Sequence, residues 1–165
     1  MVIETERLIL REFTLDDAQN LFELNANPEV LEFTGDSPFS NIKESEQFIH
    51  AYNAYQVTGY GRWAVIRKSD KQFLGWCGLK YHPLQKYTDL GFRFFKTFWN
   101  RGFATESSRA VIEYAFTDLG LDNLVARVEA ENKSSVAVLN KLGFTLESHI
   151  EFNNAKGCLF RITKQ

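Results

Sequence analysis

The segment from Asp89 to Glu106 reads DLGFRFFKTFWNRGFATE and is the most informative part of the chain. It predicts a β-strand, then a turn that contains Gly102, then the start of a helix. The amides in the first turn of a helix have no partner inside the helix, and they lie at the positive end of its dipole. Such a unit can bind a phosphate or pyrophosphate, which Gly102 would let approach the backbone and Arg101 would attract. A plain helix start after a turn glycine is the alternative, and on this segment alone the two interpretations are equally weighted.

The sequence around this segment differs from the common nucleotide-binding motifs. A Walker loop needs Lys and then Ser or Thr after its second glycine, and the dinucleotide fingerprint needs glycines that are absent here. Parallel nucleotide-binding sheets repeat strand and helix, whereas the strands Trp63–Ile66 and Phe73–Leu79 predict a hairpin before the segment. Thr5 to Phe13 predicts an opening strand, and a helix is expected from near Asn41 to Gly59. The pattern therefore predicts one α+β domain, residues 1–165, with a mixed sheet.

The composition argues against several functional classes. The 165 residues contain 19 Lys and Arg against 21 Asp and Glu, and this net charge of −2 gives no dominant attraction to nucleic acid. No stretch approaches the roughly 20 apolar residues of a membrane-spanning helix, and the N-terminus lacks the apolar run of a signal peptide. We therefore expect a soluble cytoplasmic protein with neither a membrane nor a nucleic-acid partner. Cys77 and Cys158 match no zinc or redox spacing, so we expect two reduced core thiols.

Three blocks of sequence resemble the GNAT N-acetyltransferase superfamily. Residues 99–104, WNRGFA, fit its acetyl-CoA signature Gln/Arg-x-x-Gly-x-Gly/Ala, except that Trp99 replaces the first residue. A second block runs from NKSS at residues 132–135 to KLGF at 141–144. The opening TERLILR at residues 5–11 is similar to the branch that contains the ribosomal-protein N-terminal acetyltransferases. The order and spacing of these blocks extend the resemblance over nearly the whole chain.

The resemblance implies a fold and a cosubstrate. The implied fold has a mixed, mostly antiparallel central sheet with helices on both faces, in which the strands near Asp89–Phe95 and Leu124–Ala130 splay apart as a V. Acetyl-CoA would enter this gap, with its pantetheine arm on the strand backbone and its pyrophosphate on the turn and helix start. No metal is implied. The expected cofactor-binding residues are Phe94, Phe95, Lys96, Arg101, Gly102, Phe103, Ala104, Thr105 and Asn132.

The resemblance also implies catalytic residues. Direct acetyl transfer needs a neutral amine, a polarised carbonyl and a protonated leaving thiolate. Many members protonate the thiolate with a Tyr in the helix after Asn132, but Leu139 stands at that position here. The ribosomal-protein branch uses the Ser of an Asn-x-x-Ser motif, which Ser135 matches, so we expect Ser135 to donate to the sulfur; a small core-facing residue is its alternative. Asp89 stands where the family often has a glutamate and is the expected base, with a solvated strand-end acid as an equal alternative. Asn132 would contact the arm or position a water near the thioester, and a helix cap there is compatible with that contact.

The nature of the acceptor follows from the absence of an evident strong base. At pH 7 a lysine side chain is neutral in about one molecule in 2,500, whereas an α-amine is neutral in about one in seven. We therefore expect the α-amine of a protein or peptide N-terminus. A small amine, such as a polyamine, amino sugar or drug, and a non-catalytic acyl-CoA-binding domain are the alternatives. Dimers are common among similar proteins, and the sequence does not decide between a monomer and a homodimer.

The acceptor is expected to meet the segment Glu29–Glu46, which contains five acidic residues and one lysine. Its field would attract a cationic amine, although solvated helix faces are the more ordinary explanation. Phe33, Phe39 and Trp63 are the expected apolar walls of the acceptor pocket, with core packing as the alternative for each. His50 and His82 have no partner at a recognisable spacing and are expected at the surface.

Overall fold

A computed structural model describes residues 2–165 of the chain, and a single eight-stranded sheet is its framework. The strands are β1 (Val2–Glu4), β2 (Leu8–Arg11), β3 (Arg62–Arg67), β4 (Phe73–His82), β5 (Tyr87–Phe94), β6 (Asn123–Glu129), β7 (Thr145–Phe152) and β8 (Ala155–Thr163). Their order across the sheet is β1-β2-β3-β4-β5-β6-β8-β7, and every neighbouring pair is antiparallel except β5 and β6. The predicted mixed, mostly antiparallel sheet is therefore confirmed.

Helices cover both faces of this sheet. They are α1 (Ala18–Leu24), α2 (Pro28–Leu31), α3 (Ile42–Ala51), α4 (Ala54–Thr58), α5 (Phe103–Thr117) and α6 (Lys133–Leu142). Alternate residues of β3 belong to different clusters because side chains alternate across a strand. Trp63 and Val65 pack in the larger core with α5 and α6, whereas Ala64 and Ile66 pack with α1 and α2. The sheet thus separates an α5–α6 face from an α1–α2 face.

The parallel strands β5 and β6 meet at one point. Asp89 is paired with Val125, and no further pair joins the two strands. By contrast, β5 is paired with β4 from Tyr87 to Phe94, over its whole length. The C-terminal half of β5 therefore has a free edge, and the expected V-shaped splay is present.

Two predicted elements have different bounds in the structure. The strand expected from Thr5 to Phe13 is shortened to β2, because the Thr5 N–H bonds the Leu8 carbonyl at 2.9 Å and closes a turn, and β1 precedes this turn. The helix expected to end at Gly59 is broken at Tyr52, whose backbone is extended with ψ of 100°. This break lets the Tyr52 hydroxyl accept from the Arg62 N–H at 2.6 Å.

Cys77 and Cys158 are buried and free, as predicted, and burial raises the pKa of the Cys77 thiol. Within residues 2–165 no helix is long and apolar enough to cross a membrane. The same residues contain no group of three or more His, Cys, Asp or Glu side chains placed to hold a metal ion.

Candidate active site

A cavity of about 630 Å³ lies beside the free half of β5. Three parts of the chain form its wall: α2 with the residues after it, the stretch from β5 to the start of α5, and one side of α6 with Asn132 before it. Because α2 lies on one face of the sheet and α5 and α6 on the other, the cavity connects the two faces through the splay. The lining residues are Glu29, Val30, Glu32, Phe33, Thr34, Phe92, Arg93, Phe94, Phe98, Trp99, Asn100, Gly102, Phe103, Ala104, Thr105, Asn132, Ser134, Ser135, Ala137, Val138 and Lys141.

One end of the cavity is formed by the start of α5. Gly102 precedes this helix in the left-handed conformation, with φ of 81° and ψ of 4°. The first backbone bond of the helix runs from the Glu106 N–H to the Gly102 carbonyl at 2.9 Å. The amides of Phe103, Ala104 and Thr105 consequently have no acceptor inside the helix. These residues line the cavity, so the turn has the geometry of an anion-binding site.

A salt bridge ties this helix start to the turn between β1 and β2. The Glu106 carboxylate accepts from the Arg7 Nε at 2.7 Å and from the Thr5 hydroxyl at 2.5 Å. Arg7 also donates to the Arg101 carbonyl at 3.1 Å. Burial alone would raise the pKa of Glu106, but these donors hold it below its ordinary value. Arg7 therefore balances a negative charge that would otherwise lie next to the anion-binding amides.

The free edge of β5 forms a second part of the wall. The Phe95 N–H bonds the Leu74 carbonyl on β4 at 3.1 Å. Since hydrogen-bonding residues alternate along an antiparallel pair, Phe92 and Phe94 direct their N–H and C=O groups away from β4 and into the splay. The Trp99 indole N–H donates to the Phe94 carbonyl at 2.9 Å. The described residues thus leave the N–H groups of both phenylalanines and the Phe92 carbonyl available to a ligand.

The start of α6 contributes polar groups from the opposite side. The Asn132 side chain caps the helix by accepting from the Ser135 N–H at 3.3 Å. Both residues line the cavity, and the half-buried Ser135 hydroxyl has no protein partner among residues 2–165. Leu139, one turn further along, is 3% exposed and packs in the core. Ser134 and Ser135 are thus the two hydroxyls of this helix in the cavity wall, and Ser135 is the one whose backbone N–H is bonded to Asn132.

Asp89 lies in a buried network of charges where β5 and β6 part. It is 4% exposed, its Oδ1 accepts from Arg62 at 2.9 Å, and its Oδ2 contacts the His82 Nε2 and lies 3.4 Å from the Arg127 guanidinium. Burial would raise the pKa of Asp89, but Arg62, His82 and Arg127 together lower it far below its ordinary value. Asp89 is therefore not a solvated strand-end acid, and a carboxylate with so little affinity for a proton is poorly suited to act directly as a base.

Residues 7–145 match the family described as Acetyltransferase (GNAT) domain. The chain belongs to the GNAT acetyltransferase family. It is 32% identical to N-acetyltransferase p20 of Bacillus licheniformis over 161 residues, which cover 96% of this chain and 90% of that protein. This GNAT chain is accordingly an N-acetyltransferase with acetyl-CoA as the acyl donor.

Solved structures show the same fold in GNAT enzymes with different substrates. The spermidine N-acetyltransferase of Vibrio cholerae, solved with CoA and spermine, is 20% identical with a TM-score of 0.82, and 96% of each chain is covered. RimL, a ribosomal L7/L12 alpha-N-protein acetyltransferase solved with coenzyme A, is 16% identical with a TM-score of 0.85. That match covers 99% of this chain and 98% of RimL. At these identities the likeness concerns the fold and leaves the acceptor open.

Of the three aromatic residues expected in the acceptor wall of this GNAT enzyme, one lines the cavity. Phe33 lines the cavity beside α2. Phe39 instead packs on Phe48, with ring centroids 5.8 Å apart, and Trp63 is 1% exposed with its ring against Tyr114. Phe39 and Trp63 therefore take the packing role that was their alternative, because apolar residues that serve a core and a pocket have the same sequence signal.

Three expected acetyl-CoA contacts also lie outside the cavity wall. Phe95 is bonded to β4, and the Lys96 ammonium pairs with Glu29 at 2.5 Å. The Arg101 side chain is exposed, with its guanidinium 5.8 Å from the centre of the Phe98 ring. At the end of β5, the GNAT cavity is thus bordered by Phe92, Arg93 and Phe94 and not by Phe95 and Lys96, which directly follow them.

Several residues at the site were missed from the sequence. His82 is half-buried against Asp89, so its expected surface position is wrong. The hairpin register held the necessary signal, because pairing His82 with Tyr87 and Lys80 with Asp89 makes His82 and Asp89 diagonal neighbours. Trp99 had a signal too, since it replaces the first residue of the acetyl-CoA signature. Glu32, by contrast, belongs to the acidic segment Glu29–Glu46 that was expected to meet the acceptor, and it lines the cavity.

Proposed function

We propose that the protein acetylates the α-amine of a protein or peptide N-terminus, with acetyl-CoA bound through the splay. The chemistry of the cavity wall supports this assignment. Among the described residues that line it there is no His, Tyr, Cys or Asp, and its two carboxylates are Glu29 and Glu32. Glu29 is paired with Lys96. A site without a strong base suits an amine that is already partly neutral at pH 7, as an α-amine is.

The proposed donor position uses both sides of the cavity. The unpaired amides of residues 103–105 would hold the pyrophosphate, as helix starts do. The pantetheine arm would run along the free edge of β5, next to the N–H groups of Phe92 and Phe94. Asn132 would contact the arm from α6, and the thioester would then lie between β5 and Ser135. This order follows the cavity from the α5–α6 face of the sheet towards α2.

The proposed reaction is a direct transfer. The acceptor nitrogen attacks the thioester carbon, and the backbone N–H of Phe92, the one farther from the phosphate turn, stabilises the oxyanion; one such donor is worth about 3–4 kcal/mol. The C–S bond breaks as the intermediate collapses, and Ser135 donates a hydrogen bond to the thiolate, while the surplus proton of the amine passes to solvent. Holding the two reactants in line removes roughly 7–11 kcal/mol of barrier. Asp89 has a positioning role here, because it holds Arg62, His82 and Arg127 together where the splay begins.

A small polycationic amine is a second candidate acceptor, and Glu32 favours it. This exposed carboxylate lines the cavity and has no ion-pair partner within residues 2–165. The other charges nearby are balanced, since Lys96 neutralises Glu29 and Asp36 pairs with Arg93 at 2.6 Å. The α2 end of the cavity therefore has an unbalanced negative charge that a second ammonium group would meet.

Thiol release from acetyl-CoA can distinguish these acceptors. We compare a peptide with a free N-terminus, the same peptide with a blocked N-terminus and one internal lysine, and spermidine. The free N-terminus should give the highest kcat/KM, with a rate that rises through about pH 7.8 and then levels off as the α-amine loses its proton. Equal rates for the blocked peptide would contradict the proposal.

A charge variant separates the second candidate from the first. Glu32→Gln should lower kcat/KM for spermidine and leave that for a peptide with neutral side chains unchanged. Glu46→Gln is the matched control, because Glu46 is exposed in the same acidic segment but lies outside the cavity. A loss of spermidine activity of the same size in both variants would exclude a specific contact at Glu32.

A further inference from the structure

Trp99 closes the free edge of β5 with its own side chain. Its backbone N–H bonds the Lys96 carbonyl at 3.0 Å, which anchors the residue in the turn after the strand. Its indole N–H reaches back to the Phe94 carbonyl at 2.9 Å. The ring is 39% exposed and lines the cavity. The last carbonyl of the free edge therefore already has a donor before any ligand binds.

This contact decides how an extended ligand can align with β5. The amide N–H groups of a pantetheine arm need carbonyl acceptors, and the two nearest the phosphate turn that face the splay belong to Phe92 and Phe94. These carbonyls are two residues apart, which is about 7 Å along a strand. An arm that moved from one to the other would carry its thioester about 7 Å away from the position reached in the first alignment. Because the Phe94 carbonyl already accepts from Trp99, the Phe92 carbonyl is the free acceptor nearest the phosphate turn among the described residues of this edge.

We propose that Trp99 is a positioning residue that holds acetyl-CoA in one alignment on β5, with its thioester beside Ser135, by occupying the Phe94 carbonyl. The inference rests on the proposed placement of the pantetheine arm along this edge. It gives the Trp99 N–H a role in the transfer step without contact between that group and the reacting atoms.

Loss of the indole N–H has a kinetic signature that damage to the site does not share. Trp99→Phe keeps an aromatic ring in the wall and frees the Phe94 carbonyl, so a second, non-productive alignment becomes available. Non-productive binding lowers kcat and the KM for acetyl-CoA by the same factor and leaves kcat/KM unchanged. The factor should be roughly two- to tenfold, the equivalent of one protein hydrogen bond. A variant with a distorted phosphate turn would instead show a raised KM and a lower kcat/KM.

The experiment combines steady-state kinetics with a titration of CoA. In wild type, calorimetry should detect CoA binding, and bound CoA should change the tryptophan fluorescence. That change should disappear in Trp99→Phe and persist in Trp76→Phe, because Trp76 does not line the cavity. A decrease of kcat and of the KM for acetyl-CoA by the same factor in Trp99→Phe supports the proposal. A return of both constants to the wild-type values in Trp99→Gln, which restores a donor, supports it as well.

Two results would overturn the inference alone: a drop in kcat/KM for acetyl-CoA in Trp99→Phe, or no change in either constant. Failure of wild type to bind CoA would overturn the proposed function and this inference together.

Discussion

Replacing Asp89 by asparagine should strongly destabilise the protein. The change keeps the shape of the side chain but removes the negative charge that balances Arg62 and Arg127. Breaking a buried ion pair from one side costs about 3–5 kcal/mol. The side chains of Arg62 and Arg127 are 18% and 31% exposed, so water relieves part of this penalty and we expect the lower end, about 3 kcal/mol. A domain of this size loses roughly 2–4 °C of Tm per kcal/mol, which gives a decrease of about 6–12 °C.

The pH dependence of stability follows from the same carboxylate. Because the pKa of Asp89 is lower in the folded protein than in the unfolded chain, its ionised form favours the folded state. That contribution is complete above the unfolded value of about 3.9 and is lost as the pH falls below it. Wild type should therefore lose free energy of unfolding on acidification below about pH 4, and Asp89→Asn should lack this part of the loss.

Thermal unfolding followed by circular dichroism, at pH 7 and between pH 5 and 3, measures both effects. Asp70→Asn is the matched control, since Asp70 also pairs with an arginine but lies exposed in a turn, and its Tm should hardly change. A free energy of unfolding for Asp89→Asn within about 1 kcal/mol of wild type would show that Asp89 does not balance the two arginines. An unchanged Tm with a large loss of kcat would instead identify Asp89 as the base.

Three further substitutions test the site. Ser135→Ala should lower kcat by roughly 10²-fold at unchanged stability, since the leaving thiolate loses its donor. Ser134→Ala, also in the cavity wall, should leave kcat unchanged. Equal rates for Ser135→Ala and wild type would show that Ser135 is not the donor. Gly102→Ala should lose about 1–2 kcal/mol, because alanine is strained at a φ of 81°, and should bind CoA more weakly. Gly59→Ala is the control, because Gly59 has a φ of 85° and open space around it. It should show the same Tm decrease with unchanged CoA affinity. If both variants bound CoA equally weakly, the turn at Gly102 would have no specific role in binding. Arg7→Met should weaken CoA binding about two- to fivefold by leaving a negative charge at the helix start, and a Kd equal to that of wild type would show that this charge is not felt there.

The parts of the fold that depend on local signals were predictable from the sequence. The β3–β4 hairpin and the start of α5 after Gly102 follow from changes in hydrophobic period and from turn residues. The break between α3 and α4 does not, because it depends on Tyr52 reaching Arg62 on a strand ten residues away. Such a contact is visible only once the helix and the sheet are packed together.

Some residues of the site could likewise be predicted from the sequence, and others could not. Gly102, Asn132 and Ser135 lie in sequence motifs whose spacing carries over to three dimensions, and all three line the cavity. Two charge partners of Asp89, Arg62 on β3 and Arg127 on β6, are distant in the sequence, so neither these ion pairs nor the burial of Asp89 could be predicted from its neighbours in sequence. Trp63 shows the reverse case, in which an aromatic residue expected in the pocket is needed to fill the core.

The single bridge between β5 and β6 leaves an open strand edge in the middle of the sheet. On a protein surface such an edge can recruit a strand from another chain and start aggregation. Here it faces a cavity of about 630 Å³ between α2, α5 and α6, and in the proposed complex the pantetheine arm covers it. The amide protons of Phe92 and Phe94 should accordingly exchange with deuterated solvent as quickly as those of a loop, although β4 and α5 surround them, and become protected once a ligand covers the edge. Deuterium uptake at a central strand would thus report occupancy of the site, while uptake at the true outer edges, β1 and β7, stays constant.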